Sequence, residues 1–169
     1  MATAKKSSAK TPAATARAGK TDATALLERD HADVKLFKQY EKLADTEADG
    51  AEREALATQI CQMLTVHATV EEEIFYPAAR AAEVEADLLD EAEVEHASAK
   101  DLIAQIQSMS PDDDLYDAKV KVLGEYIDHH VQEEENEMFP KCRRADMDLA
   151  GLAEQLAERK SELMADAPA

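Results

Sequence analysis

Apolar side chains recur every three or four positions along most of this chain, and that spacing predicts amphipathic α-helices. The same stretches are rich in Ala, Leu, Glu and Lys and contain almost no Gly or Pro, which suits long helices. The pattern predicts four long helices, over about residues 23–48, 51–76 and 84–109 and from the 110–114 segment to 138. A fifth helix is predicted from Met147, because leucines at 149, 152, 156 and 163 follow at helical spacing.

Residues that start or stop helices mark the predicted boundaries. Asp22 is a good N-cap for the first helix, Gly50 suits its C-terminal end, and Pro77 and Pro140 are predicted to end the second and fourth helices. The segment SPDDD at 110–114 is predicted to end the third helix and to cap the fourth. Long helices with short connections predict an all-α, antiparallel up-and-down four-helix bundle with an extra C-terminal helix, packed on the bundle or on a second subunit.

Charge divides the chain into unequal parts. The formal net charge of the 169 residues is -18, yet the first 20 contain only basic charges, at Lys5, Lys6, Lys10, Arg17 and Lys20. The acidic remainder disfavours nucleic acid as a partner of the folded part. We therefore expect a disordered basic arm over residues 1–21, the bundle over 22–142, and a C-terminal helix and tail over 143–169. Weak contacts of the arm with nucleic acid or an acidic partner stay open.

The two cysteines, Cys61 and Cys142, form no CxxC motif, and no secretory signal precedes them. This favours buried structural thiols and a reducing, cytoplasmic location. The longest uncharged run, residues 55–70, is too short and too polar to cross a bilayer, so no membrane association is expected. The sequence leaves a monomer and a dimer equally open.

The chain also repeats itself. At an offset of 63 residues the matching pairs are His67 with His130, Glu71 with Glu134, Tyr76 with Phe139 and Pro77 with Pro140. At an offset of 65 they are Glu28 with Glu93, His31 with His96 and Lys35 with Lys100. The first two predicted helices therefore recur as the third and fourth.

Helical geometry predicts which of these polar residues face the interior, because each residue turns by about 100° around the axis. In the second helix His67 and Glu71 fall in the middle of the apolar stripe, whereas Glu72 and Glu73 should face solvent. In the fourth helix His130 and Glu134 continue the stripe formed by Leu123, Tyr126 and Ile127. His129 falls toward its flank, so His130 is the predicted ligand and His129 a bystander.

Six side chains are predicted to converge inside the bundle: His31, His67, Glu71, His96, His130 and Glu134. Burying two unpaired carboxylates would be costly unless cations neutralised them, so this set predicts a metal site more strongly than a structural polar core. Imidazole and carboxylate ligands suit iron, zinc, copper or manganese, and two glutamates able to bridge favour two ions. Vacant coordination positions would suit a small gaseous or peroxide ligand.

Over about residues 22–142 the chain resembles the hemerythrin-like, or HHE cation-binding, domains. The resemblance is carried by His31, by HATVE at 67–71, by His96 and by HVQEE at 130–134. It implies a non-haem di-iron centre of two iron ions, with bridging Glu71 and Glu134 and terminal histidines. It also implies binding or sensing of oxygen, nitric oxide or peroxide, or a role in iron homeostasis. Glutamate in both repeats departs from the oxygen-carrying hemerythrins, which disfavours reversible oxygen carriage and is typical of bacterial HHE proteins.

A second hypothesis comes from ERDH at 28–31 and EVEH at 93–96, two Glu-x-x-His motifs of the kind that ferritin-like di-iron carboxylate proteins use. It predicts an oxidase, a ferroxidase or a peroxide-decomposing enzyme, but it leaves His67 and His130 without a role. Under the first hypothesis Glu28 and Glu93 are candidates to accept hydrogen bonds from ligand imidazoles. Tyr126, one turn before His130, is a candidate hydrogen-bond donor or core residue. The residues favour a metal and small-ligand binding protein, and a catalase-like or oxidase activity stays open.

Overall fold

The computed structural model describes residues 22–46 and 48–166, and this part of the chain is helical, without strands. The expected basic arm over residues 1–21 lies outside the described residues. The first bundle helix consists of α1 (Ala23–His31), a 3₁₀ turn (Ala32–Val34) and α2 (Lys35–Asp45). The second consists of α3 (Gly50–Val70), a π-helical turn (Glu71–Phe75) and α4 (Tyr76–Ala81).

The second half repeats this arrangement. The third bundle helix is α5 (Ala86–Gln107), and the fourth consists of α6 (Tyr116–Glu133), a π-helical turn (Glu134–Met138) and α7 (Phe139–Cys142). Each bundle helix packs on the next along the chain, and the fourth returns to contact the first. The predicted all-α four-helix bundle is therefore confirmed. A final helix, α8 (Leu149–Asp166), packs on the bundle across α1 and α3, with Leu152 and Leu156 buried.

Pro77 and Pro140 lie inside helices, so the prediction that they end the second and fourth helices is wrong. Each proline follows a π-helical turn and occupies the start of a new α-helical segment. The N–H of Tyr76 donates to the carbonyl of Glu71, five residues earlier, and the equivalent pair in the fourth helix does the same. Proline is tolerated there because the first positions of a helical segment do not need its missing N–H.

Of three boundaries predicted from the sequence, the structure confirms one and contradicts two. Asp22 caps α1, as predicted, and its carboxylate accepts an N–H from the first turn at 2.9 Å. Gly50 begins α3 instead of ending the first helix, because Asp49 caps α3 with a 2.9 Å hydrogen bond to the next turn. The 110–114 segment does not cap α6, which begins after Leu115 in a left-handed conformation with φ of 74°.

The buried apolar side chains form two clusters. One gathers around Leu27, Phe75 and Leu156, and the other around Phe37 and Ile103. Between the two clusters every bundle helix contributes inward polar side chains, namely His31, His67 with Glu71, His96, and His130 with Glu134, and we call this level of the bundle the polar layer. A polar layer closed above and below by apolar packing is shielded from water, so charges within it interact strongly.

Three further expectations concern the two cysteines, Tyr126 and membrane-spanning helices. Cys61 and Cys142 are free and buried, and burial raises the pKa of each thiol to about 11, which keeps both protonated at neutral pH. Tyr126 neither fills the core nor faces the polar layer, since it is 51% exposed. None of the helices in the described part of the chain is long and apolar enough to cross a membrane.

Candidate metal centre

Six ionisable side chains meet in the polar layer, and they are the six that helical geometry predicts to converge: His31, His67, Glu71, His96, His130 and Glu134. Five of them are at most 6% exposed, and the side chain of His67 is 13% exposed. His129, the predicted bystander, has a side chain that is 64% exposed. Helical geometry therefore predicts correctly that His130 is buried and that His129 is exposed.

All four inward-facing imidazoles direct Nε2 toward a glutamate oxygen. The distances to Oε2 of Glu71 are 3.2 Å from His67 and 3.5 Å from His96, and those to Oε2 of Glu134 are 3.2 Å from His31 and 3.5 Å from His130. Each glutamate thus lies between two histidines from different bundle helices. This is the placement that a carboxylate needs to bridge two ions.

The six residues form two overlapping groups. His31, His67, Glu71 and Glu134 can each offer one ligand atom within 4.8 Å of the others, and so can Glu71, His96 and His130. Glu71 belongs to both groups, and Glu134 reaches the second group through its 3.5 Å approach to His130. The arrangement has room for two ions that share carboxylates.

Among the described residues, buried side-chain atoms without a hydrogen-bond partner are concentrated in this layer. They are Nε2 of His31, both ring nitrogens of His67, both oxygens of Glu71, Oε2 of Glu134 and the adjacent Oδ2 of Asp30. Each such atom costs about 1–3 kcal/mol when it is left unsatisfied. Lone pairs on inward Nε2 and carboxylate oxygens are metal ligands, so the residues present fit a bound transition metal.

The other nitrogen of every imidazole, Nδ1, faces a second set of acids, which we call the outer carboxylates. The distances are 2.9 Å from His31 to Glu135, 3.0 Å from His96 to Glu72, 2.7 Å from His130 to Glu95 and 3.7 Å from His67 to Asp30. An Nδ1–H that donates to a carboxylate fixes the tautomer and leaves the Nε2 lone pair directed inward. Glu135, Glu72 and Glu95 therefore prepare three of the four rings for a metal, whereas Asp30 lies near Nδ1 of His67 without a hydrogen bond to it.

The sequence-based prediction that Glu28 and Glu93 accept hydrogen bonds from the ligand imidazoles is wrong. Glu28 pairs with Arg143, and Glu93 lies 2.8 Å from Arg80, so both are held at the surface. Glu72, predicted to face solvent, reaches across to α5 and also accepts from Lys100 at 2.7 Å. A signal for the correct set was present, because Asp30 and Glu95 repeat at the offset of 65, and Glu72 and Glu135 at 63. Every outer carboxylate is also adjacent in sequence to one of the six converging residues.

The two buried glutamates differ in their protonation. Burial, together with the charge of Glu134, raises the pKa of Glu71 well above its usual range. Burial also opposes ionisation of Glu134, but His130, His31 and His67 outweigh it and lower its pKa to about 2. Glu134 is therefore held as a carboxylate, whereas ionisation of Glu71 is disfavoured, and a cation bound to Glu71 would favour its ionised form.

Tyr76 breaks the symmetry of the two halves. Its hydroxyl donates to Oε1 of Glu134 at 2.9 Å and lies 3.3 Å from Nε2 of His96. Phe139 occupies the equivalent position in the repeat and stacks on His31 with 5.6 Å between ring centroids. One end of the layer thus has a hydroxyl donor and the other a phenyl ring. Tyr76, and not Tyr126, is the tyrosine of this site.

A cavity of about 150 Å³ opens on the polar layer. The histidines line its inner end, apolar residues such as Phe37, Ile60 and Ile103 form its walls, and Lys160 and Met164 of α8 contribute to its lining. Its volume suits a molecule of a few atoms up to a small ring. We call it the apolar cavity.

A family model and a solved structure are similar to this chain. A family model described as the hemerythrin HHE cation binding domain matches residues 22–142. A solved structure of a hemerythrin HHE cation binding domain-containing protein from Mycobacterium kansasii has a TM-score of 0.68 with this chain. That alignment covers 85% of this chain and 88% of the other at 24% identity, so it supports the fold.

A curated relative named a DNA nickase, from Nostoc sp. (strain PCC 7120 / SAG 25.82 / UTEX 2576), is 35% identical over 85 residues. The match spans 50% of this chain but only 24% of the relative. The shared part is therefore about a quarter of that longer protein.

Proposed function

Because this chain belongs to the hemerythrin HHE cation-binding family, we propose that its polar layer holds a non-haem di-iron centre that binds a small ligand. The ligand class is oxygen, nitric oxide or peroxide, and the roles that follow are sensing, peroxide handling or iron homeostasis. The observation that carries the proposal is the pair of overlapping ligand groups sharing Glu71, in which Nε2 of His31 and His67, both oxygens of Glu71 and Oε2 of Glu134 have no hydrogen-bond partner among the described residues.

In the proposed centre His31 and His67 would hold one iron and His96 and His130 the other. Glu71 and Glu134 lie between histidines of different helices and would be shared by the two ions. Two histidines and two shared carboxylates leave coordination positions vacant on each ion, and this favours ligand binding over a purely structural metal.

When bound, iron supplies open coordination positions and a change of oxidation state. The protein's own residues supply the rest of the site. Glu135, Glu72 and Glu95 hold the tautomers of three imidazoles, and Tyr76 donates a hydrogen bond to Glu134 at 2.9 Å. The apolar cavity favours small uncharged molecules and excludes bulk water from the layer.

Two other functions receive less support. The ferritin-like ligand set needs Glu28 and Glu93 inside the bundle, but arginines hold both at the surface. DNA, suggested by the name of the Nostoc relative, is disfavoured by the net charge of -18, which repels a polyanion. Peroxide turnover at the di-iron centre remains the second hypothesis, since it would use the same six residues.

Metal content tests the proposal directly. Protein reconstituted anaerobically with ferrous iron should bind about two irons per chain, as expected of a di-iron carboxylate bundle. The visible spectrum should then respond to oxygen, nitric oxide or peroxide, and the order of responses would identify the physiological class. Repeated turnover of peroxide would favour the enzyme over the sensor. Failure to bind iron under these conditions would contradict the proposed function.

Replacing Tyr76 by phenylalanine should destabilise the metal-free protein by about 1.5–3 kcal/mol at neutral pH, since a buried, ionised Glu134 would lose a donor. The phenyl ring should fit, because Phe139 occupies the equivalent position. Iron content should persist while the visible spectrum shifts. Denaturant unfolding and spectroscopy measure the two effects. Tyr40→Phe is the matched control, because Tyr40 donates to Asp117 at 2.6 Å away from the layer, so its loss should leave the spectrum unchanged.

A further inference from the structure

A second cluster of metal-ligating side chains lies on the surface, outside the six residues of the proposed centre. It comprises Glu95 of α5 and His129 and Glu133 of α6, and each can offer one ligand atom within 4.8 Å of the others. Nε2 of His129 lies 3.3 Å from Glu133 and 3.7 Å from Glu95. Their side chains are exposed or half-buried, so an ion in solution can reach them. We call these three residues the surface triad.

A small void lies directly beneath the surface triad. Glu95 and Glu133 line its outer part and His130 and Glu134 its inner part. Its volume is about 10 Å³, close to the space for a single water molecule. Glu134 is 1% exposed, and its Oε2 has no hydrogen-bond partner in the described ranges 22–46 and 48–166. Leu88, Ala92 and Met138 complete the lining of the void, which lies between two residues of the surface triad and the buried Glu134.

Glu95 connects the surface to the interior. Its Oε1 faces His129, and its Oε2 accepts from Nδ1 of His130 at 2.7 Å. Glu91, one helical turn earlier on α5, is exposed on the same side and adds negative charge. The triad offers the same imidazole and carboxylate donors as the polar layer, but exposure to water makes any binding there weak and exchangeable.

We propose that the surface triad captures ferrous iron and delivers it through the void to the buried centre, a route that rests on the function proposed above. The ion stays ferrous throughout and exchanges bound water for protein ligands. The void has space for about one water, so most of the hydration shell is replaced by Glu95 and Glu133 oxygens on the way. Glu134, which lines the inner end of the void, receives the ion.

The apolar cavity is a poor alternative route for a cation. Its walls are mainly aliphatic and aromatic, and its lysines, Lys100 and Lys160, are balanced by Asp30 and Asp33. The low dielectric of these apolar walls raises the energy of a divalent cation in transit. In this proposal uncharged ligands reach the polar layer through the apolar cavity, and iron reaches it through the void beneath the surface triad.

Uptake kinetics test this route without measuring activity of the loaded protein. Metal-free protein is mixed anaerobically with ferrous iron below two equivalents, and a ferrous chelator is added at timed intervals to count the protected iron. His129→Ala and Glu133→Gln should each slow protection by about tenfold, the lower end of electrostatic steering effects. The final iron content should stay at the wild-type value. Glu125→Gln, a matched loss of one exposed charge on α6, should keep the wild-type rate.

The outcomes are distinct. Slower uptake in both triad variants, with unchanged final content, supports the route. A wild-type rate in either variant overturns the route while leaving the di-iron centre intact. If the wild-type protein protected no iron at all, the proposed function would fail first, and the route would fail with it.

Discussion

Glu71→Gln should abolish two-iron binding and at the same time stabilise the metal-free protein. Glu71 is fully buried, and neither of its oxygens has a hydrogen-bond partner among the residues that the structure describes. Glutamine keeps the shape but cannot ionise or bridge two ions. The stabilisation at pH 7 should be about 1–3 kcal/mol, because burial raises the pKa of Glu71 and glutamine removes the cost of ionising it in the folded protein.

The sign of the pH dependence follows from the direction of the shift. The pKa of Glu71 is raised in the folded state, so its contribution to stability is fully present below the unfolded value near 4.5 and is lost as pH rises toward the folded value. The advantage of Glu71→Gln should therefore be small near pH 4 and grow toward pH 7. Unfolding of both metal-free proteins in denaturant across this range measures it.

Glu73→Gln is the matched control for this experiment. Glu73 lies two residues away, is exposed, and pairs with Arg159 of α8 at 2.7 Å. Its replacement should leave iron binding unchanged. Retention of two irons by Glu71→Gln would show that Glu71 is not a bridging ligand. A stability difference that does not vary with pH would show that the pKa of Glu71 is not raised by folding.

His130→Ala should lose iron, whereas His129→Ala should keep it at equilibrium. Nε2 of His130 lies 3.5 Å from Glu134 and 3.1 Å from Nε2 of His96, while the side chain of His129 is 64% exposed. After overnight anaerobic reconstitution, the iron content of His130→Ala should fall from about two per chain to one or fewer. Elemental analysis of the desalted protein measures this.

Long incubation separates this prediction from the uptake experiment, in which His129→Ala changes only the rate. The two histidines are adjacent in sequence and differ by about 100° around α6, so the pair tests the face assignment itself. Equal loss of iron from both variants would contradict the helical-face argument and the ligand set derived from it.

Periodicity is enough to predict the four bundle helices and the inward direction of six polar side chains. The helix ends at Pro77 and Pro140 could not be predicted in the same way. Proline usually breaks a helix because it removes a hydrogen bond to the residue four earlier. The π-helical turns already replace that pattern with a bond to the residue five earlier, and a long-range packing arrangement, not local propensity, determines where such turns form.

The same turns explain why Tyr76 was missed as a site residue. In a regular α-helix a residue five positions after Glu71 would lie about 140° away from it around the axis. In the π-helical turn the residue five positions on stacks above it instead, so Tyr76 faces the polar layer. The outer carboxylates were missed for another reason: helical-face analysis follows the Cα position, whereas Glu72, Glu95 and Glu135 are long enough to reach sideways from the flank.

The π-helical turns begin at Glu71 and Glu134, exactly one repeat apart. A single extra residue inserted before the chain was duplicated accounts for both, whereas later insertion requires the same event twice at the same place. The single insertion is the simpler history. It makes the ancestor a two-helix peptide with half of the six converging residues, which could complete the layer only by pairing with a copy of itself. The interior of the present bundle would then have begun as the interface of a symmetric dimer.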